Sequence, residues 1–226
     1  MNAHTTHSTT ETADTELDQQ RPSTISLIVS IALVVIWVSL ISRFGSGDVY
    51  VVMGPYACVV IATCIALSPR QLLHALSCDW RGLSWGLGIG VLMTSLVYPA
   101  FDLSVQLVPA LQPQVAGLYH GASTDHLYKA FAWILVLAVA EELLFRGILP
   151  RTLQLWIPER AAFAVALFAY SFAQLGSGSW IVFLLALVCG AAWSGLRLYT
   201  GSLLPGLIAH AIFSPTVLLL HPVTQT

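Results

Sequence analysis

The stretch AFAWILVLAVAEELLFRGILP, residues 130–150, has the composition of a lipid-facing helix until it reaches Glu141, Glu142 and Arg146. A charged side chain at the centre of a membrane helix costs about 3 kcal/mol even on the mildest insertion scale. A chain that places these groups in one short segment is therefore expected to use them. They form either a functional site or a buried charge network.

The composition of the whole chain indicates the environment of this stretch. Of the 226 residues, 57% are hydrophobic and only 9% are charged, whereas a soluble domain carries about 25% charged residues. We therefore expect an all-α integral membrane protein, a polytopic helix bundle embedded in a lipid bilayer. The formal net charge of −2 gives no reason to expect a nucleic-acid partner.

Runs of about 20 apolar residues indicate membrane-spanning helices. Seven such runs predict seven spans, near residues 24–42, 50–68, 83–101, 129–150, 160–176, 179–197 and 201–220. Residues 1–23 are Thr-rich and acidic and are interpreted as a disordered polar tail, so that a single helix-bundle domain covers residues 24–222. In the third run, Gly82, Gly86 and Gly90 form a small-residue stripe, which predicts close packing against another helix.

The distribution of Lys and Arg predicts the orientation, because cytoplasmic loops carry an excess of these residues. A cytoplasmic N-terminus leaves only Arg43 and Lys129 in the outer loops and places six residues in the inner loops. Those six are Arg21, Arg70, Arg81, Arg151, Arg160 and Arg197. We therefore predict a cytoplasmic N-terminus, and the short loops favour a bacterial inner membrane. His120 and His126, in the longest outer loop, are interpreted as ordinary loop histidines.

Helical geometry gives the two glutamates different surroundings. Glu142 and Arg146 are four residues apart and share a face, in the favourable acid-first order. Glu141 is rotated by about 100° from Glu142 and has no obvious partner on its own helix. An unpaired carboxylate suits a general base that takes a proton from water. A purely structural charge network is the alternative interpretation.

Two other apolar runs carry polar side chains. In GSLLPGLIAHAIFSP, residues 201–215, His210 and Ser214 share a face. His210 and Glu141 both lie about 13 Å from the cytoplasmic ends of their helices, and we expect them to meet across the bundle. In FAYSFAQLG, residues 168–176, Tyr170 and Gln174 share a face somewhat deeper in the membrane.

The order of these motifs resembles the CPBP family of intramembrane proteases, which comprises CAAX-prenyl endopeptidases and bacteriocin-processing or self-immunity proteins. EELLFRG, residues 141–147, matches the first family motif, and TGSLLPGLIAHAIFS, residues 200–214, resembles the last. The resemblance extends over residues 128–215. It implies an endopeptidase whose partner is a peptide or protein substrate at the membrane. Prenylated C-terminal peptides, leader peptides and sorting-signal tails are all compatible with it.

Two positions depart from the family pattern. The second family motif is Phe-x-x-x-His, where this chain has Tyr170 and Gln174, and the final Asn of the third motif is Ser214 here. Imidazole binds transition metals and an amide hardly does, so Gln174 weakens a metalloprotease interpretation. We therefore expect a glutamic-type endopeptidase without a metal or another cofactor.

In such a mechanism Glu141 activates a water molecule for attack on the scissile carbonyl. Gln174 and His210 stabilise the resulting oxyanion as hydrogen-bond donors. Ser214 donates a weaker bond or fixes the ring of His210.

The other residues of the predicted site have supporting roles. Glu142, tied to Arg146, holds the helix and sets the local field, and Tyr170 lines the peptide groove or positions Gln174. Two further function classes stay open. A catalytically degenerate family member, favoured by Gln174 and Ser214, would bind a peptide or act as an immunity protein. A small transporter or proton-coupled channel would also carry intramembrane charges, but the chain shows no repeated halves.

Overall fold

The computed structural model describes residues 23–44, 49–122 and 127–223, and all regular structure within these ranges is helical. The expected fold class, an all-α membrane helix bundle, is confirmed. Residues 1–22 of the predicted tail and His126 lie outside the described residues, as does the side chain of His120.

The α-helices are numbered here in chain order. They are α1 Thr24–Phe44, α2 Val49–Leu67, α3 Pro69–Ala75, α4 Trp80–Leu107, α5 Leu111–Ala122, α6 Leu127–Glu141, α7 Leu149–Leu153, α8 Glu159–Gln174, α9 Trp180–Thr200 and α10 Leu204–Pro215. Three shorter helical segments connect or extend them. These are the π-helical segments Glu142–Ile148 and Thr216–Leu220 and the 3₁₀ turn Leu175–Ser177.

Three of these helices, α1, α4 and α9, are long and apolar enough to cross a membrane. A fourth span results if α2 and α3, which are bent by 104° relative to each other, are counted together. The predicted count of seven spans is not confirmed, because α6 has 15 residues, α8 has 16 and the apolar helix over residues 204–220 is also short. Each of the seven predicted runs nevertheless coincides with helical structure.

Helix α4 packs closely against α10 along the glycine stripe. A Cβ atom on Gly86 would lie 2.7 Å from the carbonyl oxygen of Pro205, and one on Gly90 would lie 3.0 Å from the Cα of Ala209. No side chain larger than hydrogen fits at that separation, so the close packing predicted from the stripe is confirmed. This contact holds α10, which carries His210, against the rest of the bundle.

The start of α10 is fixed by the loop that precedes it. Gly201, with φ of +70°, ends α9 in the left-handed conformation that glycine adopts without strain. The backbone N–H of Leu203 and the hydroxyl of Ser202 then both donate to the carbonyl of Ala75, at 2.6 and 3.0 Å. The loop is thereby tied to the end of α3, which sets the level at which α10 enters the bundle.

Burial is greatest around the first π-helical segment, where six of the seven residues are buried. Helix α4 instead exposes large apolar side chains such as Leu87, Val91 and Leu96, as a lipid-facing helix does. The bundle therefore encloses its charged segment and turns its apolar surface outward.

Candidate active site

The two glutamates lie where α6 changes into the π-helical segment Glu142–Ile148. The N–H of Leu149 bonds to the carbonyl of Leu144, five residues earlier, so that the turn is wider than that of an α-helix. Wide turns of this kind occur frequently at functional sites. Here the wide turn carries the motif EELLFR, in which the charged side chains are concentrated.

Glu142 and Arg146 form a buried ion pair. The Arg146 Nη1 lies 3.4 Å from the Glu142 Oε1, and the two side chains are 0% and 2% exposed. The guanidinium also lies over two aromatic rings, with its Cζ 4.1 Å from the ring centre of Tyr170 and 5.3 Å from that of Trp193. Because a cation over an aromatic face is attracted by the ring quadrupole, these rings offset part of the cost of burying the charge.

The ion pair is not fully hydrogen-bonded. Within the described part of the chain, the Glu142 Oε2 and the Nε, Nη1 and Nη2 atoms of Arg146 have no hydrogen-bond partner. A buried pair with free donors and a free acceptor contributes less to stability than a satisfied one. The pair does, however, place the Glu142 carboxylate where it contacts His210.

Glu141 faces a different set of groups, all of them neutral donors or imidazole. The hydroxyl of Tyr170 donates to the Glu141 Oε2 at 3.0 Å, and the side-chain amide of Gln174 donates to the Oε1 at 3.3 Å. The Nε2 of His210 lies 3.6 Å from the Oε2. The Glu141 side chain is 12% exposed against 2% for Glu142, so this carboxylate is the more accessible of the two.

The ring of His210 links the two glutamates. Its Nδ1 lies 3.1 Å from the Glu142 Oε1, and since a carboxylate only accepts hydrogen bonds, we assign a ring hydrogen to Nδ1. The Nε2 then faces Glu141. The indole of Trp193 stacks on the imidazole, with ring centres 3.8 Å apart and planes inclined by 14°. The imidazole is thus held in one orientation by a carboxylate at its edge and an aromatic ring on its face.

Two glycines, Gly190 and Gly206, leave space for the side chains of the cluster. A Cβ atom on Gly190 would lie 2.7 Å from the Arg146 Nη2 and 3.1 Å from the Tyr170 Cδ1, and one on Gly206 would lie 3.2 Å from the Glu142 Oε2. Any larger residue at Gly190 would displace the guanidinium from its position over the aromatic rings. The two glycines therefore permit the charged cluster to form at the centre of the bundle.

The structure brings together six of the seven site residues expected from the sequence: Glu141, Glu142, Arg146, Tyr170, Gln174 and His210. Ser214 is half-buried one turn beyond His210, and among the described residues it makes no hydrogen bond to this cluster. Trp193 was not identified from the sequence. A tryptophan in an apolar membrane helix gives no signal by itself, although the small residues around it in CGAAWSG, residues 189–195, leave space for a partner.

A metal ion is poorly matched to this donor set. In residues 23–44, 49–122 and 127–223, no three side chains of His, Cys, Asp or Glu are arranged to hold one. The donors closest to Glu141 are a phenol hydroxyl and an amide, and neither is a ligand that transition metals favour.

Comparison with known proteins agrees with the motifs. Residues 123–215 match the model of a family described as type II CAAX prenyl endopeptidase Rce1-like. No curated protein and no solved structure matches the chain. The matched range contains α6 to α10 and every residue of the cluster described above. The resemblance found in the motifs is thereby confirmed: over residues 123–215 this chain is similar to the type II CAAX prenyl endopeptidase Rce1-like family.

Proposed function

We propose that this protein is an intramembrane endopeptidase that hydrolyses a membrane-proximal peptide bond with a water molecule activated by Glu141, without a metal. The observation that carries the proposal is the environment of Glu141. Its carboxylate accepts hydrogen bonds from Tyr170 and Gln174, faces His210, and is the more exposed of the two site glutamates. A partly accessible carboxylate surrounded by neutral donors has the geometry of a general base.

The proposed reaction begins when Glu141 takes a proton from water and the water oxygen bonds to the scissile carbonyl carbon. The carbonyl oxygen then carries the negative charge, and donors aimed at that charge lower the barrier. The Gln174 amide lies 3.3 Å from Glu141 in the free site, a long hydrogen bond that it exchanges readily for one to the oxyanion. Glu141 finally returns the proton to the leaving nitrogen as the C–N bond breaks.

Glu142 and Arg146 support this chemistry without contact with the substrate. Glu142 accepts from the His210 Nδ1 and pairs with Arg146, which fixes the imidazole with its Nε2 toward Glu141. The orientation of His210 toward the base and the reacting carbonyl therefore depends on an ion pair that is itself buried.

The family similarity and the expected membrane position of the site support three candidate classes of substrate. The family name includes a CAAX prenyl endopeptidase, so prenylated C-terminal peptides are the first candidates, with leader peptides and sorting-signal tails as the others. The distribution of arginine between the predicted loops supports a cytoplasmic N-terminus, and the short loops support a bacterial inner membrane. In that orientation Glu141 lies about 13 Å from the cytoplasmic ends of the helices, which favours substrates that enter from that side.

A catalytically degenerate family member is the second candidate. Ser214 stands apart from the cluster, and an amide occupies the position of a family histidine at Gln174. These two departures favour a protein that binds a peptide, or an immunity protein, over a protease.

The deciding experiment compares membranes that contain the wild-type chain with membranes that contain Glu141→Gln, by quantifying the terminal peptides of all proteins with and without a chelator. The amide keeps the shape of the carboxylate and removes its basicity. Glu159→Gln is the matched control, because Glu159 is an exposed glutamate at the start of α8. We expect new termini that require Glu141, tolerate Glu159→Gln and persist in chelator.

The other outcomes contradict specific parts of the proposal. Termini that disappear on chelation would replace the metal-free mechanism with a metal-dependent one. Identical termini in wild type and Glu141→Gln would refute the protease and leave the peptide-binding protein.

A further inference from the structure

We propose that Tyr170 is a catalytic residue, whose hydroxyl holds the Glu141 carboxylate in the free site and turns to the oxyanion during the reaction. This inference rests on the proposed function and goes beyond the roles of groove lining or Gln174 positioning expected from the sequence. It adds a second side-chain donor to the one that Gln174 supplies. The site would then hold the oxyanion with a phenol and an amide.

The hydroxyl group of Tyr170 is not needed for packing in the core. The side chain is buried, with 4% of its surface exposed, and a buried phenol hydroxyl without a partner is costly. Among the described residues, its hydrogen bond is to the Glu141 Oε2, at 3.0 Å. A phenylalanine would fill the same volume without a polar group, so the hydroxyl is explained by Glu141.

The ring of Tyr170 is held on two sides. The Arg146 guanidinium lies over it, with its Cζ 4.1 Å from the ring centre, and the ring of Phe145 meets it edge-on with centres 5.2 Å apart. Gly190 lies close enough that a Cβ there would be 3.1 Å from the Tyr170 Cδ1. With the ring fixed, the hydroxyl hydrogen can still rotate about the C–O bond. The group can therefore change acceptors while the heavy atoms stay in place.

The Arg146 guanidinium also strengthens the hydroxyl as a donor. A cation over the ring withdraws electron density from it, which makes the O–H bond more polar. Since Arg146 is paired with Glu142 and is completely buried, it cannot approach the substrate itself. Arg146 therefore affects the reaction only by polarising the O–H bond of Tyr170.

In the reaction, Glu141 accepts a proton from water, the water oxygen bonds to the carbonyl carbon, and the carbonyl π electrons move to its oxygen. As Glu141 becomes protonated it is a weaker acceptor, so the hydroxyl of Tyr170 transfers its hydrogen bond to the oxyanion beside the amide of Gln174. When the C–N bond breaks, the proton on Glu141 goes to the leaving nitrogen. Tyr170 keeps its own proton throughout, and one water is consumed for each bond cleaved.

Tyr170→Phe removes one oxygen atom and keeps the ring, which makes it a clean test. Tyr56→Phe is the matched control, because the Tyr56 hydroxyl also donates one hydrogen bond, at 2.6 Å to the carbonyl of Leu33, away from the cluster. Purified full-length variants in nanodiscs are assayed on a synthetic peptide that spans the first Glu141-dependent cleavage site found in the membrane comparison. Thermal unfolding is measured on the same samples.

We expect Tyr170→Phe to lower kcat about 100-fold, as the loss of one oxyanion donor does, with KM nearly unchanged. Tyr56→Phe should retain wild-type kcat, and both variants should show similar shifts in thermal midpoint. Wild-type kcat in Tyr170→Phe would overturn the inference and leave the protease intact. A reduced rate that comes entirely from a higher KM would also overturn it, in favour of groove lining. If wild type produces no Glu141-dependent cleavage, the proposed function fails and the inference falls with it.

Discussion

Replacing Glu142 with glutamine tests whether the buried charge pair holds the π-helical segment in place. The substitution keeps the shape of the side chain and one acceptor oxygen for His210, but it leaves Arg146 without a counter-ion. Glu141→Gln, one residue earlier, removes an equal charge from a carboxylate that is 12% exposed and bonded to neutral groups. Of the two variants, therefore, only Glu142→Gln breaks the ion pair with Arg146.

The structure sets the size of the difference. At an effective dielectric constant of about 20, unit charges 3.4 Å apart attract each other by about 5 kcal/mol. Measured losses on removing one partner of a buried pair are about 3–5 kcal/mol. For a chain of this length, that corresponds to a fall of about 6–20 °C in the midpoint of thermal unfolding. Glu141→Gln breaks no ion pair with Arg146, and we expect it to change stability by less than about 1 kcal/mol.

Thermal unfolding of the purified variants in one detergent, followed by loss of the monodisperse peak on size exclusion, measures this difference. A second variant, Glu142→Gln combined with Arg146→Met, removes both charges and should recover most of the loss, because a buried pair can often be replaced by apolar groups without net cost. Equal midpoints for Glu141→Gln and Glu142→Gln would refute the division of roles between the two glutamates. A double variant as unstable as Glu142→Gln alone would show that the loss does not come from the unpaired guanidinium.

Substitutions at three further positions test individual contacts of the cluster. Gln174→Ala should reduce the cleavage rate about 100- to 1000-fold if the amide is an oxyanion donor, and unchanged cleavage would exclude the donor role. Gln174→His, assayed with and without zinc, shows whether an imidazole at this position introduces metal dependence. Trp193→Leu removes a ring stack worth about 1 kcal/mol and should slow cleavage about fivefold, with ¹⁵N NMR of the His210 ring showing a change in ring protonation. An unaltered spectrum would argue against a positioning role. Gly190→Ala should lower stability by about 1–3 kcal/mol through overpacking, whereas Gly195→Ala, with nothing within 4 Å of its Cβ, should be neutral or slightly stabilising in the same melts.

Two contacts of the site could be predicted from the geometry of a regular helix. Glu141 and His210 were placed at the same depth by counting residues from the helix ends, and the structure places the His210 Nε2 3.6 Å from the Glu141 carboxylate. Glu142 and Arg146, four residues apart, also form the expected pair. These inferences depend on the constant rise of a helix, which the sequence determines once the helix boundaries are known.

The contacts of Tyr170 could not be predicted in the same way. Counting residues from the helix ends placed Tyr170 deeper in the membrane than Glu141, yet the Tyr170 hydroxyl donates a hydrogen bond to the Glu141 carboxylate. The π-helical segment changes the register of the chain after Glu141, so a count that assumes a constant α-helical rise does not give the relative levels of side chains across it. Apolar periodicity does not encode this change of register.

The predicted count of seven spans is not confirmed for a related reason. The short connection that follows α8 contains a 3₁₀ turn and Gly178, with φ of +76°. This turn ends α8 at 16 residues, fewer than the roughly 20 needed to cross the hydrocarbon core. An apolar run read from the sequence ends at the next polar residue, whereas the helix itself ends where the turn begins.

The adjacency of the two glutamates allows one buried cluster to hold an ion pair and a second carboxylate that has no guanidinium partner among the residues that the structure describes. A carboxylate paired with a guanidinium is a poor base, because the pair stabilises its ionised form. Here Glu142 takes the single arginine of the cluster at 3.4 Å, and the rotation of the helix between consecutive residues turns Glu141 away from it toward Tyr170 and Gln174. Neutral donors stabilise a carboxylate less strongly than a cation does, so Glu141 keeps its capacity to accept a proton. The proposed chemistry therefore uses both glutamates, Glu142 as the counter-ion of the buried arginine and Glu141 as the available base.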